Sequence, residues 1–195
     1  MIGTTQHRPS TRSRRPWLLG TLLLATITTG LTAGVFGDWA HTIMPGLRTT
    51  DDRTFVTAFQ ALDRAITQPL FLLVFLGALV FTGLAAMLAR RDGSPAVLPW
   101  VAVAFGLYLV GVVITMTVHE PLNVVPRAAG DPARIADPAA LREAFHETRW
   151  IVWHLVRTLA TTAAFACLAW ALVLQGRTPA DAAGHDHPSS RRRVG

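Results

Sequence analysis

The stretch Arg149-Trp150-Ile151-Val152-Trp153-His154-Leu155-Val156-Arg157-Thr158 decides the fold, because it runs without a break into the apolar segment 159–174. A charged side chain at membrane depth is costly unless it faces a partner or a water-filled cavity. Trp150 suits the membrane interface, and Arg157 lies about 10 Å further along a helix that rises about 1.5 Å per residue. Arg157 is therefore predicted to point into a bundle of helices rather than at lipid.

The polar and aromatic residues of this stretch recur at the helical spacing i, i+3, i+4, i+7. Trp150, Trp153, His154 and Arg157 are therefore predicted to share one helix face. Because of its depth, Arg157 is expected to have an internal carboxylate partner, such as Asp63 or Glu120.

Four long apolar segments predict an integral membrane protein. Hydrophobic residues make up 51% of the 195-residue chain and charged residues only 15%, which is unlike an ordinary soluble domain. Each segment reaches the roughly 20 residues that a spanning helix needs; they are residues 17–37, 69–89, 96–118 and 151–174. The predicted fold class is all-α, a bundle of four transmembrane helices. Residues 16–175 form this membrane domain, between disordered tails at 1–15 and 176–195.

The second helix is predicted to extend beyond the membrane. Its first part carries apolar residues at helical spacing, from Phe55 to Ile66, beside polar ones, so it should be amphipathic. One helix over residues 52–90 would have to tilt, kink near Pro69 or project outward. Before it, Met-Pro-Gly-Leu at 44–47 predicts a turn.

The third helix is predicted to stop or kink at Glu120, because Pro121 disfavours helical geometry at the preceding residue. A long outer loop, residues 124–148, is predicted to follow. Asp137 and Pro138 resemble a helix cap and first helical residue, so the fourth helix is expected to begin outside the membrane, near Pro138.

The placement of arginine predicts the orientation. All 18 basic residues are arginines, and ten of them lie in the two tails and the connection after the second helix, beside three acidic residues. The other eight share the opposite side with nine acidic residues. The positive-inside rule then predicts a multi-pass protein of the plasma (inner) membrane with both termini in the cytoplasm. Retention of the arginine-rich segments in the cytoplasm explains the high isoelectric point, so binding to nucleic acid is not needed to explain it. The single cysteine, Cys167, excludes a disulfide framework.

All four helices bring polar side chains to the predicted outer end. These residues are Asp38, His41, Gln60, Asp63, His119, Glu120, Asn123, His154 and Arg157. They predict a cavity that binds a polar or aromatic molecule, moves a proton or holds a metal. The alternative is that such residues satisfy one another and lipid headgroups, and this is the preferred interpretation of Asp38 and His41.

A metal site is one interpretation of this group. His119 and His154 with a carboxylate, Glu120 or Asp63, have the composition of a mononuclear iron site, and imidazoles also suit copper. The alternative is a reaction that requires no cofactor, in which the substrate carbanion reacts with oxygen directly.

Several segments together resemble the anthrone oxygenase-like family of small four-helix membrane proteins. The resemblance covers most of residues 17–175 and depends on the order and spacing of these motifs: Gly34-Val35-Phe36 before Met44-Pro45-Gly46-Leu47; Gln60 before Pro69-Leu70-Phe71; Gly111 and Thr115 before Pro121-Leu122-Asn123; and Trp150, Trp153, Arg157 and Thr158. It implies oxidation of an anthrone by molecular oxygen, in which the central CH2 of a tricyclic polyketide becomes a quinone carbonyl. The chain departs from the family tendency at Asp63, His119 and His154, where asparagine is usual.

Two functions remain open from the sequence. The leading hypothesis is a membrane oxidoreductase in which His154 or His119 is the general base, Arg157 stabilises the enolate and Asp63 belongs to the same catalytic group. Substrate contacts are expected from Gln60, Glu120, Asn123, Trp150 and Trp153. The alternative is a non-enzymatic membrane protein that binds a lipid or hydrophobic metabolite, or supports a partner protein. The Gly30-x-x-x-Gly34 spacing fits close packing inside the bundle or association of two copies.

Overall fold

The computed structural model describes residues 15–177, which are almost entirely helical. The elements, in chain order, are α1 (Arg15–Asp38), a first π-helical turn (Trp39–Ile43), α2 (Met44–Arg48), α3 (Asp52–Ile66), α4 (Pro69–Arg91), α5 (Leu98–Ile114), a second π-helical turn (Thr115–His119), α6 (Glu120–Ala128), a 3-10 turn (Pro132–Arg134), α7 (Pro138–Ala144) and α8 (Glu147–Arg177). The all-α prediction is confirmed. Of the tails predicted to be disordered, 1–15 and 176–195, residues 1–14 and 178–195 lie outside the described residues, whereas Arg15, Gly176 and Arg177 are helical.

Four continuous helical stretches are long and apolar enough to cross a membrane, which confirms the four-helix bundle. They are Pro16–Arg48, Pro69–Arg91, Leu98–Ala128 and Glu147–Arg177. The chain is therefore a multi-pass membrane protein. α3, α6 and α7 pack together at one end of the bundle, which we call the cap end; the connection 92–97 lies at the other end.

Two prolines continue a helix where the sequence predicted a break. Pro45 lies in α2 and Pro121 in α6, so the predicted turn at 44–47 and the stop predicted at Glu120 are wrong; a kink at Glu120, the other predicted outcome, stays a prediction. A proline ring clashes with the carbonyl group four residues earlier in an α-helix. Each of these prolines follows a π-helical turn. In the second of these turns, the amide of Glu120 donates to the carbonyl of Thr115, five residues earlier. The wider turn accommodates the proline, and π-helical turns are frequent at functional sites.

The predicted second helix is divided into α3 and α4, and Pro69 is the first residue of α4. A change of direction near Pro69 was one of the predicted outcomes. α3 is amphipathic as predicted, and Phe55 and Phe59 are buried. Asp51 caps α3 by accepting from the amide of Thr54, at 3.1 Å, and from its hydroxyl, and these hydrogen bonds lower the pKa of Asp51.

The predicted loop at 124–148 is mostly short helices, so the irregular connection is shorter than the sequence suggested. The loop is fastened to α3. Arg53 donates to the carbonyls of Pro132 and Ile135, at 2.8 and 2.9 Å, and Arg142 bonds Asp52 at 3.1 Å. α8 begins at Glu147, later than the predicted start near Pro138, because α7 ends at a junction where His146 has a positive φ of 52°.

Two apolar cores lie along the bundle, with the polar side chains between them. The membrane core includes Leu22, Phe36, Phe75, Ala78, Tyr108 and Leu168. The cap core includes Trp39, Phe55, Phe59, Val118, Phe145 and Trp150. The polar group between these cores forms the candidate site.

Candidate active site

Arg157 is buried, as predicted, with only 7% of its surface exposed. Its Nε and Nη2 atoms donate to Nδ1 of His154, at 3.1 and 2.9 Å, and Nη1 donates to the hydroxyl of Thr115 at 3.0 Å. The guanidinium carbon lies 4.1 Å from the ring centroid of Phe36, close enough for a cation–π interaction. One N–H on each terminal nitrogen is left to meet a further acceptor.

The predicted carboxylate partner of Arg157 is wrong. Within residues 15–177 no acidic side chain forms an ion pair with Arg157. Asp63 and Glu120 bind Arg127 instead, at 2.8 and 2.7 Å. Arg127 lies two helical turns beyond Glu120 on α6, on the same helix face, and packing of α6 against α3 brings it to Asp63 as well.

His154 has both ring nitrogens occupied. Nδ1 accepts from Arg157, and Nε2 lies 2.8 Å from the carbonyl oxygen of Phe36. Since an arginine only donates and a carbonyl only accepts, His154 is a neutral imidazole with its proton on Nε2. Its ring also stacks on Trp150, with centroids 4.6 Å apart. His154 therefore orients Arg157 and has no free lone pair for a substrate proton.

His119 is the opposite case. It is 1% exposed, and neither ring nitrogen makes a hydrogen bond of standard geometry, although the backbone of Ile114 and of Trp150 lies near enough to interact with the ring. Buried polar groups nearly always have one, so the imidazole of His119 has hydrogen-bonding capacity left for a ligand or an ordered water. The second π-helical turn positions it, and its ring packs edge-on against Trp150 and His154, with centroids 5.0 and 5.8 Å away.

Arg157 and His119 line one cavity of about 110 Å³, on the cap side of the membrane core. Its remaining lining is apolar near α4 and polar near α6: Phe36, Asp63, Ile66, Thr67, Phe71, Leu72, Phe75, Thr115, Met116, Glu120 and Asn123. The cavity therefore combines aromatic walls with one buried cation and one buried unpartnered imidazole, an arrangement suited to a flat aromatic molecule that carries an oxygen atom.

A hydrogen-bonded chain fixes the polar wall. Asp63 accepts from Arg127 and, at 3.1 Å, from the amide of Asn123, whose oxygen accepts from the indole N–H of Trp150 at 2.8 Å. Trp150 in turn contacts both histidine rings. Asp63 thus has both oxygens engaged, and it positions the other residues instead of accepting a proton itself.

The predicted substrate contacts divide into two groups. Glu120 and Asn123 line the cavity, whereas Gln60, Trp150 and Trp153 are not among its described lining residues. Gln60 donates to the carbonyls of Pro126 and Gly130, at 2.6 and 3.1 Å, and so fastens α3.

The prediction that Trp153 shares the buried face is wrong. Trp153 is 40% exposed, against 2% for Trp150. Trp153 lies three residues after Trp150, which is about 60° short of a full helical turn. Its side chain therefore lies at the edge of the buried face. The large indole then extends outward.

The donor set for a metal is not assembled. Among the described residues, no three His, Cys, Asp or Glu side chains lie together in an arrangement that could hold an ion. Arg127 occupies Asp63 and Glu120, and the contacts of His154 occupy its nitrogens. The residues present therefore do not fit the two-histidine, one-carboxylate site.

Sequence reasoning did not name Arg127, and it named Thr115 and Phe36 only as parts of the family resemblance, without a role at the candidate site. The spacing of Arg127 from Glu120 and Asn123 was visible in the sequence and could have identified it. The roles of Thr115 and Phe36 depend on how separate helices pack, for which the sequence carries no local signal.

Comparison with known families gives one match. The sequence model described as anthrone oxygenase matches residues 65–167, just over half of the chain, and this range includes His119, Arg127, His154 and Arg157. Neither the curated proteins nor the solved structures contain a significant match.

Proposed function

Because this chain belongs to the anthrone oxygenase family, we propose that it uses molecular oxygen to oxidise an anthrone-like substrate, a fused aromatic ketone whose ring CH2 becomes a second carbonyl. One observation carries the proposal. A buried arginine without a carboxylate partner among the described residues and a buried, unpartnered histidine line the same cavity. Enolate chemistry needs these two groups, a fixed cation and a proton acceptor.

Arg157 binds the substrate oxygen. A ketone oxygen in the cavity accepts from the free N–H groups of the guanidinium, and that oxygen becomes negative as the CH2 loses a proton. A buried cation is costly without a counter-ion, so the interaction strengthens when charge develops on the substrate. The contacts with His154 and Thr115 hold the guanidinium in place before the substrate arrives.

His119 accepts the proton. Its nitrogens make no hydrogen bond of standard geometry but are covered by neighbouring atoms, so the ring must rotate slightly to turn a lone pair toward the C–H group of a bound substrate. The CH2 of an anthrone is acidic because its carbanion is delocalised through the aromatic rings to the ketone oxygen. A positioned proton acceptor of this kind typically contributes about 10²–10⁴-fold to the rate.

The carbanion then reacts with oxygen. A C–O bond forms to O2, and the proton held by His119 passes to the distal oxygen to give a hydroperoxide. His119 removes the second C–H proton as the O–O bond breaks, which forms the carbonyl, and the departing hydroxide takes that proton to become water. The carbon loses four electrons, O2 gains four, and His119 returns to its starting state.

Oxygen uptake tests this function. Purified protein in lipid nanodiscs is supplied with anthrone, and oxygen consumption is measured together with quinone absorbance. We expect one O2 per quinone, with large losses of rate in His119→Asn and Arg157→Gln. His41→Asn and Arg134→Gln are the controls, since both residues are exposed and outside the cavity.

Wild-type rates equal to those of empty nanodiscs would remove the enzymatic proposal. Retention of anthrone without turnover would favour the non-enzymatic alternative, a protein that binds a hydrophobic metabolite. Equal rates in the wild type and both site variants would place any oxidation outside this cavity.

We further propose that the cap end faces outward from the plasma (inner) membrane, with both termini in the cytoplasm. Arg90 and Arg91 lie at the opposite end of the bundle, and short arginine-rich connections are retained in the cytoplasm. Labelling of a cysteine at Thr49 and of one at Ser94 by a membrane-impermeant thiol reagent tests this, in chains with Cys167→Ser. Intact cells should label the first position and not the second; the reverse pattern would overturn the orientation.

A further inference from the structure

We infer that the substrate reaches the cavity from within the bilayer, through an opening between α4 and the second π-helical turn. The substrate class is then an apolar, membrane-dissolved aromatic ketone rather than a water-borne conjugate. The inference rests on the proposed function, since it concerns the same cavity, and it adds the route and the substrate class.

One side of the cavity is formed by exposed apolar side chains. Leu72 of α4 and Met116 of the second π-helical turn both line it, and they are 42% and 52% exposed. Both residues lie within membrane-spanning stretches. Their exposed surface therefore faces lipid, and a cavity lined by such residues is continuous with the hydrocarbon on that side.

The cap end of the cavity is crossed by hydrogen bonds, and the exposed lining side chains at this end, Thr67 and Glu120, are polar. α3 lies across it, with Gln60 bonded to the carbonyls of Pro126 and Gly130. Asp63 is bonded to Asn123 and Arg127 on the same side. A molecule that entered beside Asp63 would have to break these hydrogen bonds and uncover a carboxylate that is only 3% exposed. An apolar molecule that entered beside Thr67 and Glu120 would have to desolvate polar side chains, so the apolar side of the cavity is the favoured entrance for it.

The membrane-core end is closed. The hydroxyl of Tyr108 donates to the carbonyl of Phe75 at 2.8 Å and so bridges α5 and α4 directly below the cavity. Further along, these helices are close together, since a Cβ on Gly83 would lie 3.2 Å from the ring of Phe105. α4 and α5 therefore meet tightly below the cavity, and the opening is confined to their cap-side ends.

The size of the cavity also indicates an opening on the side of Leu72 and Met116. A volume of about 110 Å³ is well below the roughly 300–1,000 Å³ of pockets that enclose drug-sized ligands. A tricyclic ketone bound to Arg157 must therefore leave one ring in the opening, between Leu72 and Met116. Substituents on that ring meet lipid, so alkyl groups are accepted and a carboxylate or sugar is rejected.

Filling the opening provides the first test. Leu72→Trp and Met116→Trp should each lower kcat/KM for anthrone by at least about tenfold, mainly through KM, because access is blocked and the catalytic groups are untouched. The control is Leu76→Trp, one turn along α4, which is 49% exposed and does not line the cavity. Tryptophan variants with unchanged kcat/KM would overturn the inference.

Protection from labelling provides a second test that needs no turnover. In nanodiscs, Met116→Cys in a Cys167→Ser chain is treated with a lipid-soluble alkyl maleimide, with and without anthrone under nitrogen. Anthrone should slow the modification of Met116→Cys. It should not slow that of Val110→Cys, which is 48% exposed on the same span and outside the cavity.

The two tests separate the route from the reaction. Protection of Met116→Cys without oxygen uptake keeps the lateral opening and removes the proposed oxidation. Oxygen uptake together with a modification rate of Met116→Cys that anthrone does not change keeps the oxidation and removes the opening.

Discussion

Arg157 donates from both Nε and Nη2 to Nδ1 of His154, one helical turn earlier on α8. The hydrogen-bond directions make His154 a neutral acceptor, so the two side chains work as one unit in which the imidazole aims the guanidinium. This relationship assigns the proton acceptor of the proposed reaction to His119, the other histidine at the cavity.

Chemical rescue distinguishes the two histidines. His119→Ala should lower the oxidation rate by about 10²–10⁴-fold, and added imidazole should restore part of the loss by occupying the vacated space. His154→Ala should also be slow, because Arg157 loses its acceptor, but imidazole in solution should not restore it. Rescue of His154→Ala alone would reverse the two assignments.

Arg157→Met should separate activity from stability. The rate should fall by about 10²–10³-fold, as for other lost oxyanion contacts. The free energy of unfolding should stay equal or rise, because a buried cation without a counter-ion is replaced by an apolar side chain of similar length. Unfolding in mixed detergent micelles measures this, and a large loss of stability would show that Arg157 is chiefly structural.

Arg127→Met should destabilise the protein by about 3 kcal/mol, the low end for a broken buried ion pair, since Arg127 itself is one-third exposed. The loss arises because the buried carboxylate of Asp63 is left without its cation. Adding Asp63→Asn should therefore recover much of the stability. A double variant whose loss equals the sum of the two single losses would contradict the coupling.

Trp150→Phe should cost about 1 kcal/mol of stability and slow the reaction, because Asn123 loses the indole N–H that holds it. Trp153→Phe is the matched control on the same helix, and its exposed ring predicts little change in either quantity. Equal effects of the two substitutions would mean that the contact with Asn123 is unimportant.

Asp51 predicts an acid dependence of stability at the cap. Hydrogen bonds from Thr54 lower the pKa of Asp51 in the folded state, so its contribution is present above the unfolded pKa and is lost as the pH falls through the lower, folded one. Thermal unfolding should show Asp51→Asn losing less stability than the wild type between about pH 5 and pH 2. If the stability of Asp51→Asn and that of the wild type changed equally with pH, Asp51 would not make this contribution.

The class of fold was predictable because it depends on local properties. The lengths of the apolar segments predicted the four spans. Helix geometry predicted that Trp150 and Arg157, seven residues apart, would lie on the same buried face. The continuations through Pro45 and Pro121 were not predictable, because a π-helical turn before each proline depends on packing around Trp39 and His119 rather than on propensity.

The site was predicted in part. His119, His154 and Arg157 do lie together. The acids expected beside Arg157 are instead bound by Arg127, which lies outside the stretch 149–158 on which the prediction was based. Competition between two arginines for the same carboxylates is decided by side-chain reach across helices. The distance from each arginine to the carboxylates on other helices cannot be read from the sequence alone.

Anaerobic titration with anthrone tests the central claim most directly. The claim is that the cavity binds the substrate as its enolate, with the negative oxygen on Arg157, before oxygen reacts. Wild-type protein in nanodiscs under nitrogen should develop the red-shifted absorption of the enolate at a pH where free anthrone remains a ketone, and Arg157→Gln should not. A bound but unshifted ketone in the wild type, or an equal shift in Arg157→Gln, would contradict the account.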